Sequence, residues 1–406
     1  MQARNPDQQL EFAKIPAVWL AISALAVVVG VITFVVALSG NAAQRAWQVY
    51  LVNYLFWVSL SLGSVLFVAV LNLSKAMWAR PFKRLAESLG AFLPVAFVLF
   101  WVVYAGRSRI FYWVLNPHPK RLVWLSTPFV FSRDGFALLA MILLALALMY
   151  YSVRSDRQWL KDPSDGAKWQ GSWRAQIILS PIYAIVYCYG LSLIGFDLIM
   201  SLDPDWYSTL FGAYFFTASF YIALAAIALL LYLSLARFGI GRFIRERQLH
   251  DMGKMMLGFC LFTGYLFYAQ FLTIWYGNLP DEVKFVIMRV KLGPYNTLAW
   301  IILGAIFLLP FFTLLSRRIK VHPVPMAVLS IIILIGMWLE RFILVVPSTW
   351  KTASVPLGFV EVLVTIGFAG LVALCLALYL RMVPLFPVSD PLFARFKEEG
   401  ETELEP

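Results

Sequence analysis

Ten apolar runs, each long enough to cross a hydrocarbon core of about 30 Å as a helix of roughly 20 residues, decide what this chain can fold into. They lie near residues 15–38, 49–73, 86–105, 129–152, 176–199, 209–235, 254–276, 295–315, 324–346 and 357–380. A water-soluble domain cannot bury so much: 61% of the residues are hydrophobic and the mean hydropathy is +0.79. The weak alternation of an outer-membrane barrel is nowhere visible, so the prediction is an all-α polytopic membrane protein of about ten transmembrane helices. The first run exceeds the 7 to 15 apolar residues of a signal peptide and reads as a retained helix. About two-thirds of the 33 Lys and Arg fall in the N-terminus, in the loops after helices 2, 4, 6 and 8, and in the C-terminus, which predicts a multi-pass protein with both termini cytoplasmic. The net charge of +11 suits anionic lipid headgroups at those loops and needs no nucleic acid.

The connections are too short for a separate soluble domain, so residues 1–406 read as a single integral membrane domain. The segments "WQVYLVNYLFWVSLSLGSVLF" at 47–67 and "WYSTLFGAYFFTASFYIALA" at 206–225 share aromatics followed by small hydroxylated residues. That echo predicts two four-helix bundles, helices 2–5 within 45–199 and helices 6–9 within 206–346, flanked by helices 1 and 10. The segment 277–294 has helical apolar spacing and acids at its start, as in a helix lying on the outer surface. The acidic tail within 387–406 reads as cytoplasmic, and its final stretch "KEEGETELEP" as disordered. Cys188, Cys260 and Cys375 stand singly in different apolar runs, which excludes a disulfide framework and paired-thiolate metal sites. His118, His250 and His322 fall in connections rather than in helices, so no haem is expected and no metal site is assigned.

Ionisable side chains inside a membrane cost several kcal/mol or more, so each one is a functional candidate. Between the fifth and sixth runs, "GFDLIMSLDPDWYSTLFG" carries Asp197, Asp203 and Asp205 with no Lys or Arg among them. Asp203 before Pro204 reads as a helix N-cap, and Asp205 as a first-turn acid favoured by the macrodipole. Asp197 needs no such role and is the strongest functional candidate of the three. In "WLERF", Glu340 lies about 21 Å along a helix starting near Met326, in the outer third of the bilayer. Its neighbour Arg341 points about 100° away, so each is expected to find a partner on another helix. Glu361 sits one turn inside helix 10, Asp134 at the outer end of helix 4 beside Arg133, and Glu87 at the inner start of helix 3 near His250 and Asp251. Asp134, Asp197, Glu340, Arg341, Glu361 and Glu87 are the candidates for a proton path. Gln270, with Tyr268 and Thr273 on helix 7, is the candidate for a quinone carbonyl. Asp203, Asp205, Asp281 and Glu282 form an outer acidic face for docking or capping. No phosphate loop, nucleophile elbow or metal-binding His pair argues for a hydrolase, and no catalytic residue is assigned.

At "FDLIMSLDPDWYSTLFG", "QFLTIWYGNLPDE", "FSRDGF" and "WLERFILVVPS", in this order and at these helix ends, the chain resembles the NrfD-like membrane subunits of the polysulfide reductase type. More narrowly it resembles the second such subunit, ActF, of Alternative Complex III, over about 45–385. The resemblance implies ten helices in two four-helix bundles and no redox cofactor on this chain. It implies a place in a bacterial inner-membrane quinol:cytochrome c oxidoreductase beside an iron–sulfur subunit, a multihaem cytochrome c, the paralogous subunit ActC and small membrane subunits. It also implies quinol chemistry, with menaquinol or ubiquinol as substrate of the complex, and proton translocation. Asp205 stands before Trp206, where the family often has histidine, and no membrane histidine is present; the working quinol site is therefore expected on an ActC-like partner. A proton-coupled secondary transporter and a purely structural scaffold subunit are the alternatives.

Overall fold

The structure, a computed structural model, describes residues 13–162, 166–235, 240–291, 293–350 and 354–402. Ten helices are long and apolar enough to span a membrane: α1 Ala17–Leu38, α2 Ala43–Leu73, α3 Arg80–Ala105, α4 Thr127–Lys161, α5 Gln170–Leu202, α6 Phe211–Ser234, α7 Glu246–Gly277, α8 Tyr295–Leu315, α9 Pro323–Thr349 and α10 Phe359–Met382. All ten expected runs are helical, and no strand occurs among the described residues. Several helices run longer than expected, because polar turns extend them past the apolar core: α7 begins at Glu246, so His250 lies inside a helix and not in a connection.

Helices α2 to α5 pack together on one side and α6 to α9 on the other, with α2 against α6 at the centre; α1 lies on α10, which itself rests on α2 and the start of α3. In lipid no hydrophobic force draws helices together, so close backbone approach decides who packs where. At the α2–α6 crossing a Cβ on Gly63 would stand 2.7 Å from the Ala223 Cβ and 2.9 Å from the Ser219 carbonyl oxygen. Gly30 of α1 and Gly367 of α10 meet backbone to backbone, where a Cβ on Gly30 would lie 2.5 Å from the Gly367 Cα. Gly63→Val is therefore expected to lower stability by about 1–3 kcal/mol through overpacking, read as an earlier thermal transition of the purified protein in detergent. An unchanged transition would mean that this crossing is not tight.

Two of the prolines inside membrane helices free a carbonyl four residues upstream that has found a distant donor. Pro310 in α8 follows a π-helical stretch, Gly304–Leu308, and the Tyr221 hydroxyl of α6 donates to the Ile306 oxygen at 3.3 Å. Pro347 in α9 frees the Ile343 oxygen, which accepts from Arg289 Nε at 2.9 Å. Arg289 comes from the surface helix Pro280–Val290, whose first turn carries Asp281 and Glu282. Its guanidinium lies 3.4 Å over the Phe285 ring, and Phe285 stacks on Trp206 at 3.7 Å. Burial pushes that guanidinium down to about 9, against the pull of Asp203.

The C-terminal segment departs from the expected disorder. Pro391–Thr402 is helical, and residues 403–406 lie outside the described residues. Just before it, Ser389 and Asp390 are buried against α3 and α4, where Asp390 accepts from Arg80 and Ser389 donates to Asp156.

Candidate functional site

The central helix α2 strings the buried polar groups together. From Arg45 to Asn72 it rises about 40 Å at 1.5 Å per residue, the depth of a bilayer with its headgroups. At its N-terminal end, the outer one in the expected orientation, Arg45 donates to both Glu361 oxygens, at 2.9 and 2.7 Å, and the Gly358 N–H caps the same carboxylate at 2.8 Å. Glu361 is thus the third residue of α10, where the helix N-terminus favours an anion. Gln48 then bonds Thr349, and Asn53 bonds Thr365 while accepting from the Trp338 indole.

Midway along α2, Ser59 accepts from the Ser219 hydroxyl at 2.9 Å. Ser219 in turn accepts from Arg341 Nη2 at 3.2 Å. Here the structure corrects one expectation: Glu340 and Arg341 do pair with each other, Arg341 Nη1 to Glu340 Oε2 at 2.7 Å. The 100° offset between adjacent positions is spanned by the long, forked arginine side chain. Both also reach α6, as expected: the Tyr214 hydroxyl donates to Glu340 Oε1 at 2.7 Å, and the Arg341 guanidinium rests 4.3 Å over the Phe215 ring. The ion pair is closed off from lipid on every side, with Arg341 fully buried.

The first bundle holds a second carboxylate site at its outer end. Asp197 of α5 is fully buried and takes two bonds from Arg133 of α4, the Nε one at 2.6 Å, and one from the Trp124 indole at 3.2 Å. Arg133 lies flat over Trp124 at 3.8 Å and over Phe129 at 4.6 Å. Asp134, adjacent in sequence to Arg133, is turned the other way into the bundle, also fully buried, in electrostatic contact with Asp197 and with Tyr54. Its carboxyl oxygens accept from no described residue, its one link being the hydrogen bond shared with Asp197, and the Tyr54 hydroxyl has no partner among the described residues. A bare carboxylate in that position would cost several kcal/mol, whereas a carboxylic acid beside an Arg-held carboxylate has an acceptor for its proton.

At the inner end three cations and three carboxylates interlock, all buried: Arg80, Lys83, Arg84, Glu87, Asp156 and Asp390. Arg84 joins Glu87 and Asp156, and the Ser152 hydroxyl donates to Glu87 at 2.8 Å. Tyr379 of α10 donates to Glu87 at 3.2 Å. Asp156 accepts from Ser389 through its backbone N–H and hydroxyl, at 2.9 and 2.6 Å. Arg80 donates to Asp390 and to Asn72, both at 2.8 Å, and Lys83 to Gln176 at 3.0 Å. Glu87 thus has these partners instead of the expected neighbours His250 and Asp251; Asp251 pairs with Lys254 on α7.

Burial alone would raise the Asp390 carboxyl, but Lys83 and Arg80 outweigh it and hold it below the ordinary carboxylate value. A depressed folded-state value contributes stability that is present above about pH 4, the unfolded value, and is lost as pH falls through the folded one. Release of the C-terminal segment is therefore expected only below about pH 4, measured as cleavage within 384–398 by an acid-active protease in detergent. Cleavage already at pH 6 would contradict the Asp390 anchor.

The structure brings Asp134 and Asp197 together, and links Glu340 with Arg341, but spreads the other candidates. Gln270 is buried and bonded to Ser208 and to its own helix, Thr273 donates back to the Gln270 carbonyl, and Tyr268 stands 59% exposed on another face of α7. Asp203 is not a helix N-cap: it follows the last turn of α5, and α6 starts only at Phe211, since the residues between seat Trp206 under Phe285. Asp205, exposed, pairs with His118 at 3.1 Å. Among the described residues, no three His, Cys, Asp or Glu gather as metal ligands. Sequence reasoning missed Arg45, Arg80, Lys83, Arg133, Asp156, Tyr214 and Asp390. For Arg133 a signal existed, since a guanidinium at a membrane edge next to an acid is placed to clamp a carboxylate.

Against this geometry, the profile of the family described as polysulphide reductase, NrfD, matches residues 37–353. That stretch contains α2 to α9 and every residue of the Asp134–Asp197 and Glu340–Arg341 sites. A comparison with curated proteins finds no match.

Proposed function

The chain belongs to the NrfD family of polysulphide reductase membrane subunits, and from that premise we propose that it serves a bacterial respiratory complex that oxidises quinol, as its ActF-like membrane subunit. The complex is of the Alternative Complex III type, with a cytochrome c as electron acceptor. Its partners are an iron–sulfur subunit, a multihaem cytochrome c, an ActC-like paralogue and small membrane subunits, in the inner membrane with both termini cytoplasmic. This chain contributes structure and a proton route, while the ActC-like paralogue holds the working quinol.

The observation that carries the proton role is Asp134: a fully buried carboxyl group that accepts from no described residue and whose one link is to the Arg-held Asp197. A structural carboxylate is saturated, as Glu361 and Asp156 are. A group that must take up and release a proton keeps acceptor capacity open. Asp134 is the group that takes up and releases the proton, Asp197 is the Arg133-held acceptor beside it, and Glu340 with Tyr214 and Arg341 offers a second station in the other bundle. Saturation of the inner network favours a structural role for Glu87.

Affinity purification from the native membrane tests the assignment. Co-elution with c-type haem, an iron–sulfur subunit and a second subunit of this family is expected. A chain that elutes alone and colourless would contradict it and favour a transporter.

A further inference from the structure

One face of α4 is used by neither bundle. Phe136, Leu139 and Leu143 are exposed along it, followed by Tyr150, and then by Arg154, Arg157 and Lys161. These positions recur at three- and four-residue steps or their sum, so they form one stripe. Tyr150, Val153, Arg154, Arg157, Gln158 and Lys161 line a groove of about 260 Å³. Arg154 lies 5.9 Å over the Tyr150 ring. Of the two acids nearest in sequence, Asp156 is turned to the opposite face and taken by Arg84 and Ser389, and Asp162 lies exposed beyond Lys161 at the end of the helix. Arg157 and Lys161 form no ion pair with a described residue.

The stripe has the outline of a phospholipid. From Leu139 to Tyr150 it rises about 16 Å, close to the ~15 Å half-thickness of the hydrocarbon core. Tyr150 sits where an aromatic marks the interface, and three cations follow at headgroup height on the side of the basic loops. We propose that this groove binds the phosphate headgroup of an anionic phospholipid of the phosphatidylglycerol class, whose acyl chains lie on Leu143 and Leu139. A zwitterionic headgroup brings its own cation and leaves Arg157 and Lys161 uncompensated, so charge selects the anionic lipid.

The test uses the intact complex in nanodiscs of equal phosphatidylglycerol and phosphatidylcholine, with retained lipid counted by native mass spectrometry after extraction into detergent. Wild-type protein is expected to retain phosphatidylglycerol in preference, and Arg157→Ala with Lys161→Ala to lose that preference by at least about tenfold. Arg318→Ala, an exposed cation on the same side, is expected to leave it unchanged. A photoreactive phosphatidylglycerol headgroup on the wild-type complex reads the site without any variant and is expected to label 150–161. Retention without preference, an unchanged double variant, or labelling elsewhere overturns the proposal. Displacement by free glycerol phosphate as efficiently as by lipid assigns the groove to a soluble anion and overturns it too. A partner subunit that shields Lys161 from amine labelling in the complex, with no lipid retained, does the same.

Discussion

Replacing Arg84 by Met is expected to cost at least about 3–5 kcal/mol and to prevent stable accumulation of the protein in the membrane. The reason is stoichiometric. Arg84 is the cation of both Glu87 and Asp156, all three are buried, and Met fills much the same space without a charge. Two carboxylates are then left inside the bundle, and the Ser389 anchor hangs on one of them. The same physics supplies the control. Removing a buried cation together with the carboxylates it pairs costs less than removing it alone. Adding Glu87→Gln and Asp156→Asn to Arg84→Met should therefore restore part of the stability, because no carboxylate of Arg84 is then left unpaired, Arg80 and Lys83 keep Asp390, and the side-chain amide introduced by Asp156→Asn keeps an acceptor oxygen for Ser389. Thermal transitions in detergent of the wild type, the single variant and the triple variant measure this; equal losses in the single and triple variants would show that the network is not what holds the inner end.

The second large effect separates two aspartates that look alike in sequence. Asp197→Asn breaks the Arg133 clamp and leaves that guanidinium with half its acceptors, so assembly is expected to fall with it. Asp134→Asn keeps the one link that Asp134 makes, because the amide N–H of the variant donates to Asp197 where the carboxyl group did. Assembly and electron transfer should therefore survive, while proton transfer through this point falls by about 10²–10⁴-fold, the usual worth of a positioned acid–base group.

The ten helices were legible because a membrane demands long apolar runs, and a charge inside such a run stands out at once. Asp134, Asp197, Glu340 and Arg341 were found that way. Their partners were not, since Asp134 and Asp197 come from different helices and Tyr214 is an aromatic among many. The inner network was hidden for a different reason. "RPFKR" at 80–84 reads as a basic loop facing cytoplasm, and nothing local says that Asp390, some 310 residues away, returns to meet it. Asp203 was misread because a proline after an acid is a good start signal for a helix, yet the chain spends seven more residues seating Trp206 before α6 begins. The Arg341–Glu340 contact was excluded on Cβ directions alone, which ignores how far a guanidinium reaches.

The most direct measurement is the number of protons released per electron by the purified complex in proteoliposomes, driven by quinol, for wild type and Asp134→Asn. The variant is expected to oxidise quinol at close to the wild-type rate and to release only the scalar protons of that chemistry, the translocated ones being lost. An unchanged ratio with intact turnover would contradict the proton route, and would leave this chain as a scaffold whose buried acids serve only to hold its helices together.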